Sequence, residues 1–208
     1  MSSDELVLAS LLVSRLMHDL AASAGAVGNG IEMLREESGK GGVDAGALDL
    51  LEFSARETLR RLEFFRLAFG AAGGLGSRQP LDEARAKVTA FFEGRKVKVD
   101  WPRGTAADAP QPVVKLTLSL VMTCAEALPR GGTVSVALED RRVEVTAAGQ
   151  GATLAEEKKV APSGDAAALN ARLVQPYYAG ALARSLGSAI VTAATSDRVV
   201  LTAALPPG

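Results

Sequence analysis

The sequence predicts an α+β protein, an N-terminal antiparallel helical hairpin followed by a mixed α/β domain. Three features carry this. The first third repeats apolar residues at helical spacing in two long runs. Residues 70–79 then hold four glycines and no period, as a link or hinge does. Beyond them, short alternating runs of strand type are interleaved with helical runs. The chain divides into a hairpin over 1–72, a link over 73–79 and an α/β domain over 80–208.

Residues 4–36 read as one helix. Ser2 and Glu5 have the spacing of a capping box, and Val13, Leu16, Leu20, Val27, Ile31 and Leu34 form an apolar seam. Three glycines within Glu36–Gly42 end it. A second long helix starts near Asp44, a good N-cap, with a seam of Leu48, Leu51, Ala55, Leu59, Leu62, Phe65 and Phe69. Its outer face carries Arg56, Glu57, Arg60, Arg61, Glu63 and Arg66. Each stripe is wider than one neighbouring helix covers. Two hairpins paired as a four-helix bundle solve this, so a homodimer is expected, unless the C-terminal half covers the exposed face.

In the second part, Pro80–Gly94, Pro112–Leu128 and Ala166–Leu186 read as helices. Pro176 would suit the first turn of a helix starting later, near Gln175. Val97–Trp101 reads as a strand. Thr133–Leu138 and Arg142–Ala147 read as a hairpin around Glu139–Arg141, and Ile190–Thr195 and Arg198–Ala204 as a last pair. Residues 149–165 read as loop.

Composition narrows the function. The formal charge of −1 gives no field for nucleic acid, and aromatics at 4% offer no stacking platform for single strands. The single cysteine, Cys124, sits in an apolar run and reads as a small buried hydrophobe. One cysteine and one histidine make no zinc site. The start Met1–Glu5 lacks the basic region of a secretory signal, and no apolar stretch is expected to reach the ~18 residues of a membrane span. A cytoplasmic protein without membrane or nucleic-acid partners is expected.

The lone histidine, His18, lies on the first helix. At about 100° per residue it points away from Leu16 and Leu20, onto a face shared with Leu11, Ser14, Ala22 and Gly25. A neutral imidazole has a free lone pair, and Asp19 can accept the other ring N–H or take up its proton. An exposed nucleophile without an oxyanion hole suits receipt of a phosphoryl group from a partner's active site. A plain surface histidine stays possible on these residues alone.

Ser14-Arg15-Leu16-Met17-His18-Asp19-Leu20 resembles the phosphoacceptor motif of sensor histidine kinases. With Gly28–Leu34, Ala125–Gly132 and Val174–Gly187, the chain resembles more closely the ChpT-type histidine phosphotransferases of alphaproteobacteria. That resemblance implies a dimeric four-helix bundle and a C-terminal α/β sandwich like a degenerate histidine-kinase ATP-binding domain. It implies a phosphorelay in which His18 takes a phosphoryl group from a receiver-domain aspartate and passes it to response regulators. His18 and Asp19 would be catalytic, and Ser14, Arg15, Ala22 and Gly25 would meet the receiver. The partners would be receiver domains of hybrid kinases and response regulators. No cofactor or metal of its own is expected, because Mg²⁺ would sit on the receiver. Kinases commonly have Thr or Asn four residues after the histidine and Pro soon after; here Ala22 and Ser23 stand there, which speaks against a phosphatase activity built on a polar group at that place.

A kinase of this kind needs an asparagine for Mg²⁺, an Asp-x-Gly-x-Gly turn for adenine and a glycine-rich lid. Glu126 stands at the asparagine position and Ala147 at the Asp position, before Gly149 and Gly151, and no lid is recognisable over 152–180. An alanine cannot accept the adenine amino group, whose unpaired burial costs about 1–3 kcal/mol. ATP binding is therefore not expected. A kinase with degenerate motifs and a non-catalytic dimeric adaptor remain the competing readings.

Overall fold

The computed structural model describes residues 3–38, 45–70, 77–104, 106–139, 141–164 and 169–206. Two helices, α1 (Ser3–Ser38) and α2 (Ala45–Phe69), pack as an antiparallel hairpin. The expected caps Ser2 and Asp44, and most of the glycine link, lie outside the described residues.

The rest of the chain is an α/β sandwich. Strand β1 (Arg78–Pro80) leads into α3 (Leu81–Phe92), then β2 (Val97–Asp100) and β3 (Asp108–Pro110). Helix α4 (Gln111–Glu126) follows, then β4 (Gly132–Glu139), β5 (Arg142–Ala148) and α5 (Glu156–Val160). A 3₁₀ turn (Ala161–Ser163), α6 (Val174–Ser185), β6 (Ile190–Ala194) and β7 (Arg198–Ala204) complete it. The five-stranded sheet has the order β2-β4-β5-β7-β6. Only β2 and β4 run parallel, joined by the crossover that carries α4.

Helix α4 is apolar nearly all round and is buried from Gln111 to Cys124 apart from Pro112, as a central helix should be. The inward residues of the sheet meet it in register: Val136, Val145 and Leu201 in one row, Val134, Ala147 and Val199 in another. Cys124 is buried here as expected. Its thiol donates to the Val145 carbonyl at 3.5 Å, and burial pushes its pKa up to about 12.

Several expectations need correction. The last helix begins at Val174 rather than Ala166, which puts Pro176 in its first turn. Asn170 instead caps a separate turn, its side-chain oxygen accepting the Arg172 and Leu173 N–H groups. The stretch read as loop contains α5 and the 3₁₀ turn, both too short for a period to show. Arg78 and Gln79, read as link, pair with β3 in a two-stranded ribbon that the sequence reading missed. Pro80 and Pro110 end these two strands and open α3 and α4.

The two apolar seams also divide. Leu16 and Leu20 pack against the core, whereas Val13 and Ile31 are exposed. On α2, Phe65 is buried but Leu48, Leu59 and Leu62 are exposed, and Phe64, Leu67 and Ala68 are buried on faces outside the seam. Glu57, Arg60 and Arg61 belong to a joint rather than to a solvated outer face. Arg61 donates to Glu57, Arg95 donates to the same carboxylate at 2.9 Å, and Arg60 pairs with Glu93. The second half of α2 is therefore an inter-domain strut, with Phe64 stacked on Phe91 of α3 at 4.1 Å and Phe69 against Tyr178 of α6 at 5.4 Å.

By length and composition, Asp4–Glu36 would also pass as a membrane span, with a hydropathy of 1.4 in its most apolar window. That departs from the expectation of no such stretch. The helix nonetheless carries Arg15 and Asp19 at its middle, paired with each other, and Arg15 is also paired with Glu126 of the C-terminal domain. Charges at that depth are costly in a bilayer.

Candidate phosphoacceptor site

His18 projects from the middle of α1 with its side chain 88% exposed. The helix wheel explains this. Leu16 and Ser23 turn toward α2 and the core, and His18 lies on the far side of the cylinder. Its Nδ1 lies 3.4 Å from Asp19 Oδ1. A carboxylate only accepts, so this contact favours the tautomer with the proton on Nδ1. Nε2 is then left with its lone pair, at the tip of the ring and facing solvent.

Asp19 is half-buried and held from three sides. Its second oxygen, Oδ2, lies 3.8 Å from Arg15 Nε. Its backbone carbonyl accepts from Arg61 Nη1 at 2.5 Å. Arg95, across the joint, adds an attractive charge. Burial lowers the Arg95 guanidinium from its ordinary value while Glu57 works against that, and it stays charged at neutral pH.

The predicted neighbours separate into two groups. Ser14, Ala22 and Gly25 are exposed on the His18 face, and a Cβ added at Gly25 would meet nothing within 4 Å. Arg15 is turned away from that surface. Its guanidinium is paired with Glu126 at the end of α4, and its side chain is only 18% exposed.

Glu126, which the sequence reads at a kinase's Mg²⁺-binding asparagine position, is thus engaged on both oxygens. Oε1 takes Arg15 and Oε2 accepts from Lys158 Nζ of α5 at 2.6 Å. Two cations balance one carboxylate, so no net negative charge remains there for a metal. Among the described residues, no group of three or more His, Cys, Asp or Glu side chains could hold an ion.

The remaining nucleotide features are occupied by packing. Ala147 is fully buried in the sheet. Gly149 and Gly151 form a turn whose N–H groups donate to the Asp197 carbonyl and to Asp197 Oδ1 at 3.0 and 2.9 Å. A side chain at Gly149 would meet the Gly131 carbonyl oxygen at 2.6 Å, and Gly151 has φ +69°, so both positions suit glycine for structural reasons. The chain then runs back across α4. The Thr153 N–H donates to the Ala127 carbonyl at 2.9 Å, and Ala152 and Leu154 enter the core. The 3₁₀ turn lies directly on α6, where a side chain at Gly180 would collide with the Pro162 carbonyl.

A cleft of about 320 Å³ opens between hairpin and domain beside the site, walled by Asp19, Phe91, Arg95, Met122 and Glu126. A larger cavity of about 420 Å³, around Leu81, Val113, Leu138 and Leu186, lies at the opposite end of α4. That is roughly 20 Å from Glu126 at 1.5 Å per residue, and its lining includes no histidine, cysteine, serine or threonine.

A helical hairpin that exposes one carboxylate-paired histidine beside an α/β sandwich fits a phosphotransferase of the two-component type. The comparisons agree. The C-terminal domain model of the histidine phosphotransferases matches residues 81–198. The protein phosphotransferase ChpT of Brucella abortus (strain 2308) is 36% identical over 202 residues, 94% of each chain. The solved structure of a bacterial phosphotransferase superimposes with a TM-score of 0.82, covering 98% of this chain and 97% of its own at 34% identity. The chain belongs to the histidine phosphotransferase family and is a protein phosphotransferase of a phosphorelay.

Proposed function

We propose that this protein is a homodimeric, cytoplasmic phosphotransferase that carries its phosphoryl group on His18. The observation that supports this most is the exposed imidazole whose Nδ1 faces Asp19. In the forward step the Nε2 lone pair attacks the phosphorus of a receiver's aspartyl phosphate. An N–P bond forms, the P–O bond to the acyl oxygen breaks, and the receiver carboxylate leaves. The ring becomes a cation that still bears its Nδ1 proton, and Asp19 stabilises that charge or accepts the proton. The reverse step on a second receiver delivers the group to a response regulator. The Mg²⁺ and lysine that stabilise the moving charge belong to the receiver, and this chain brings no cofactor. Phosphorylated receiver should label the wild-type protein with an acid-labile, base-stable phosphate. Labelling by ATP alone would overturn the non-kinase part of the reading.

The receiver docks on the His18 side of the hairpin, over Ser14, Ala22 and Gly25. The hairpin also exposes the apolar side chains Met33 on α1 and Leu50 and Phe53 on α2, which would add to this contact. Phe53 precedes Phe64 by three helical turns on nearly the same face, so it projects past the domain that Phe64 packs against. The sequence reading missed it, because it falls outside the α2 seam. At 65% exposure, Phe53 should act as an anchor. Phe53→Asp is expected to raise KM for the receiver about tenfold with kcat nearly unchanged, in steady-state transfer assays.

Dimerisation uses the opposite side. Val13, Met17 and Ile31 of α1 and Leu48, Leu59 and Leu62 of α2 form exposed stripes that face away from the C-terminal domain. Pairing them with a second copy gives the four-helix bundle. Leu59→Asp with Leu62→Asp should convert a dimer into a monomer in sedimentation equilibrium. A wild-type monomer at micromolar concentration would overturn the dimer.

A further inference from the structure

We infer that Glu126 of the C-terminal domain is a positioning residue for the phosphoacceptor, acting through Arg15 and Asp19 on His18. This rests on the phosphotransferase reading above and extends it, because it gives the kinase-like domain a part in the transfer step at the place where a kinase would hold metal.

A chain of contacts links one domain to the other, and its longest link is the Arg15–Asp19 ion pair, in which the buried Arg15 Nε makes no hydrogen bond. Lys158 Nζ lies 2.6 Å from Glu126 Oε2. Glu126 Oε1 accepts from Arg15 Nη2. Arg15 Nε lies 3.8 Å from Asp19 Oδ2, and Asp19 Oδ1 lies 3.4 Å from His18 Nδ1. Each carboxylate is used on both oxygens, so each link limits the rotation of the next. Arg15 cannot close fully onto Asp19, because Glu126 takes its outer nitrogen. Asp19 therefore keeps Oδ1 free for the imidazole, and its backbone is tied by Arg61 of α2 at 2.5 Å.

Burial gives these links their effect. The side chains of Arg15, Glu126 and Lys158 are 18%, 24% and 20% exposed, so water screens them less than it screens an ordinary surface pair. His18 itself is open to solvent, and nothing else on its own helix would hold the ring in one tautomer. The charged groups around Asp19 are Arg15 on α1, Arg61 and Glu57 on α2, Arg95 after α3 and Glu126 on α4. Of these, only Glu126 reaches the Asp19 carboxylate through a shared guanidinium, because the Glu57–Arg61 pair meets Asp19 at its backbone carbonyl. Losing it lets Arg15 pair fully with Asp19 and draws the carboxylate away from the ring.

The test uses Glu126→Gln, which keeps the side-chain volume, in the whole 208-residue chain. His18 is the only histidine, so its ring nitrogens give a single pair of ¹⁵N resonances. Wild type should show the Nδ1–H tautomer, and Glu126→Gln should move it toward Nε2–H. In transfer from a phosphorylated receiver, kcat should fall about tenfold with KM unchanged. Arg15→Gln, which removes the hold on Asp19 Oδ2 and lets the carboxylate turn, should also lower kcat, and the double variant should lose no more than Arg15→Gln alone, because Glu126 acts only through Arg15. Unchanged tautomer and kcat in Glu126→Gln would overturn the inference, and so would a rise in KM alone, which makes Glu126 only a docking residue. The tautomer reports on positioning even without transfer. A wild type that takes no phosphoryl group refutes the phosphotransferase reading, while a tautomer unmoved by Glu126→Gln refutes this one.

Discussion

His18→Ala is expected to abolish phosphoryl acceptance, by a factor on the order of 10³–10⁶, the scale seen when a covalent nucleophile is removed. No second histidine exists to take over. The fold should be untouched. The side chain is 88% exposed and its only polar contact is the 3.4 Å approach to Asp19, so the stability change should stay within about 0.5 kcal/mol. Melting curves and sedimentation should match wild type, and phosphate label from a phosphorylated receiver should disappear. Asp19→Asn should fall between, with a loss of about 10²-fold, because the amide can no longer balance the imidazolium charge. Full label on His18→Ala would assign the phosphoryl group elsewhere. It would revive the reading in which the hairpin is an adaptor.

Phe64→Ala should give the largest loss of stability. Phe64 is fully buried on α2, stacks on Phe91 at 4.1 Å and meets Phe65 edge-on at 5.9 Å. Truncation leaves a cavity in the strut that joins hairpin to domain, at a cost of roughly 3–5 kcal/mol. For a chain of this size that lowers the melting midpoint by roughly 6–20 °C. A drop under 2 °C would mean that the aromatic cluster does not hold the two parts together. Because Glu57, Arg61 and Arg95 share the same joint, the variant should also weaken transfer at temperatures well below its midpoint.

The two long helices, the fold class and the exposure of His18 were legible because each rests on local periodicity. A helix of 36 residues repeats its pattern many times, and the position of His18 relative to Leu16 and Leu20 follows from helix geometry alone. Short elements were not legible. Strands β1 and β3 have three residues each, less than two periods, and the start of α6 was hidden because the alanine-rich run before it suits a helix as well as a loop.

The site was half legible. On the sequence the residue types around His18 read as an acceptor and its acidic neighbour, and Glu126 and Ala147 read as a departure from a kinase's nucleotide motifs. What Arg15 does was not legible: on the sequence it is a basic residue near the histidine and reads as a contact for an acidic receiver. In the structure its guanidinium belongs to Glu126, 111 positions later. Phe53 and Phe64 show the same limit. They lie on nearly one helical face, yet Phe53 is 65% exposed and Phe64 is fully buried, stacked on Phe91 of α3.

The sequence by itself determined which residues can do chemistry and on which side of each helix they lie, since both follow from side-chain type and a period of 3.6. Only the tertiary structure decided which of the apolar faces are covered and which charges meet. Those depend on contacts between residues far apart in the chain, and no local pattern encodes them.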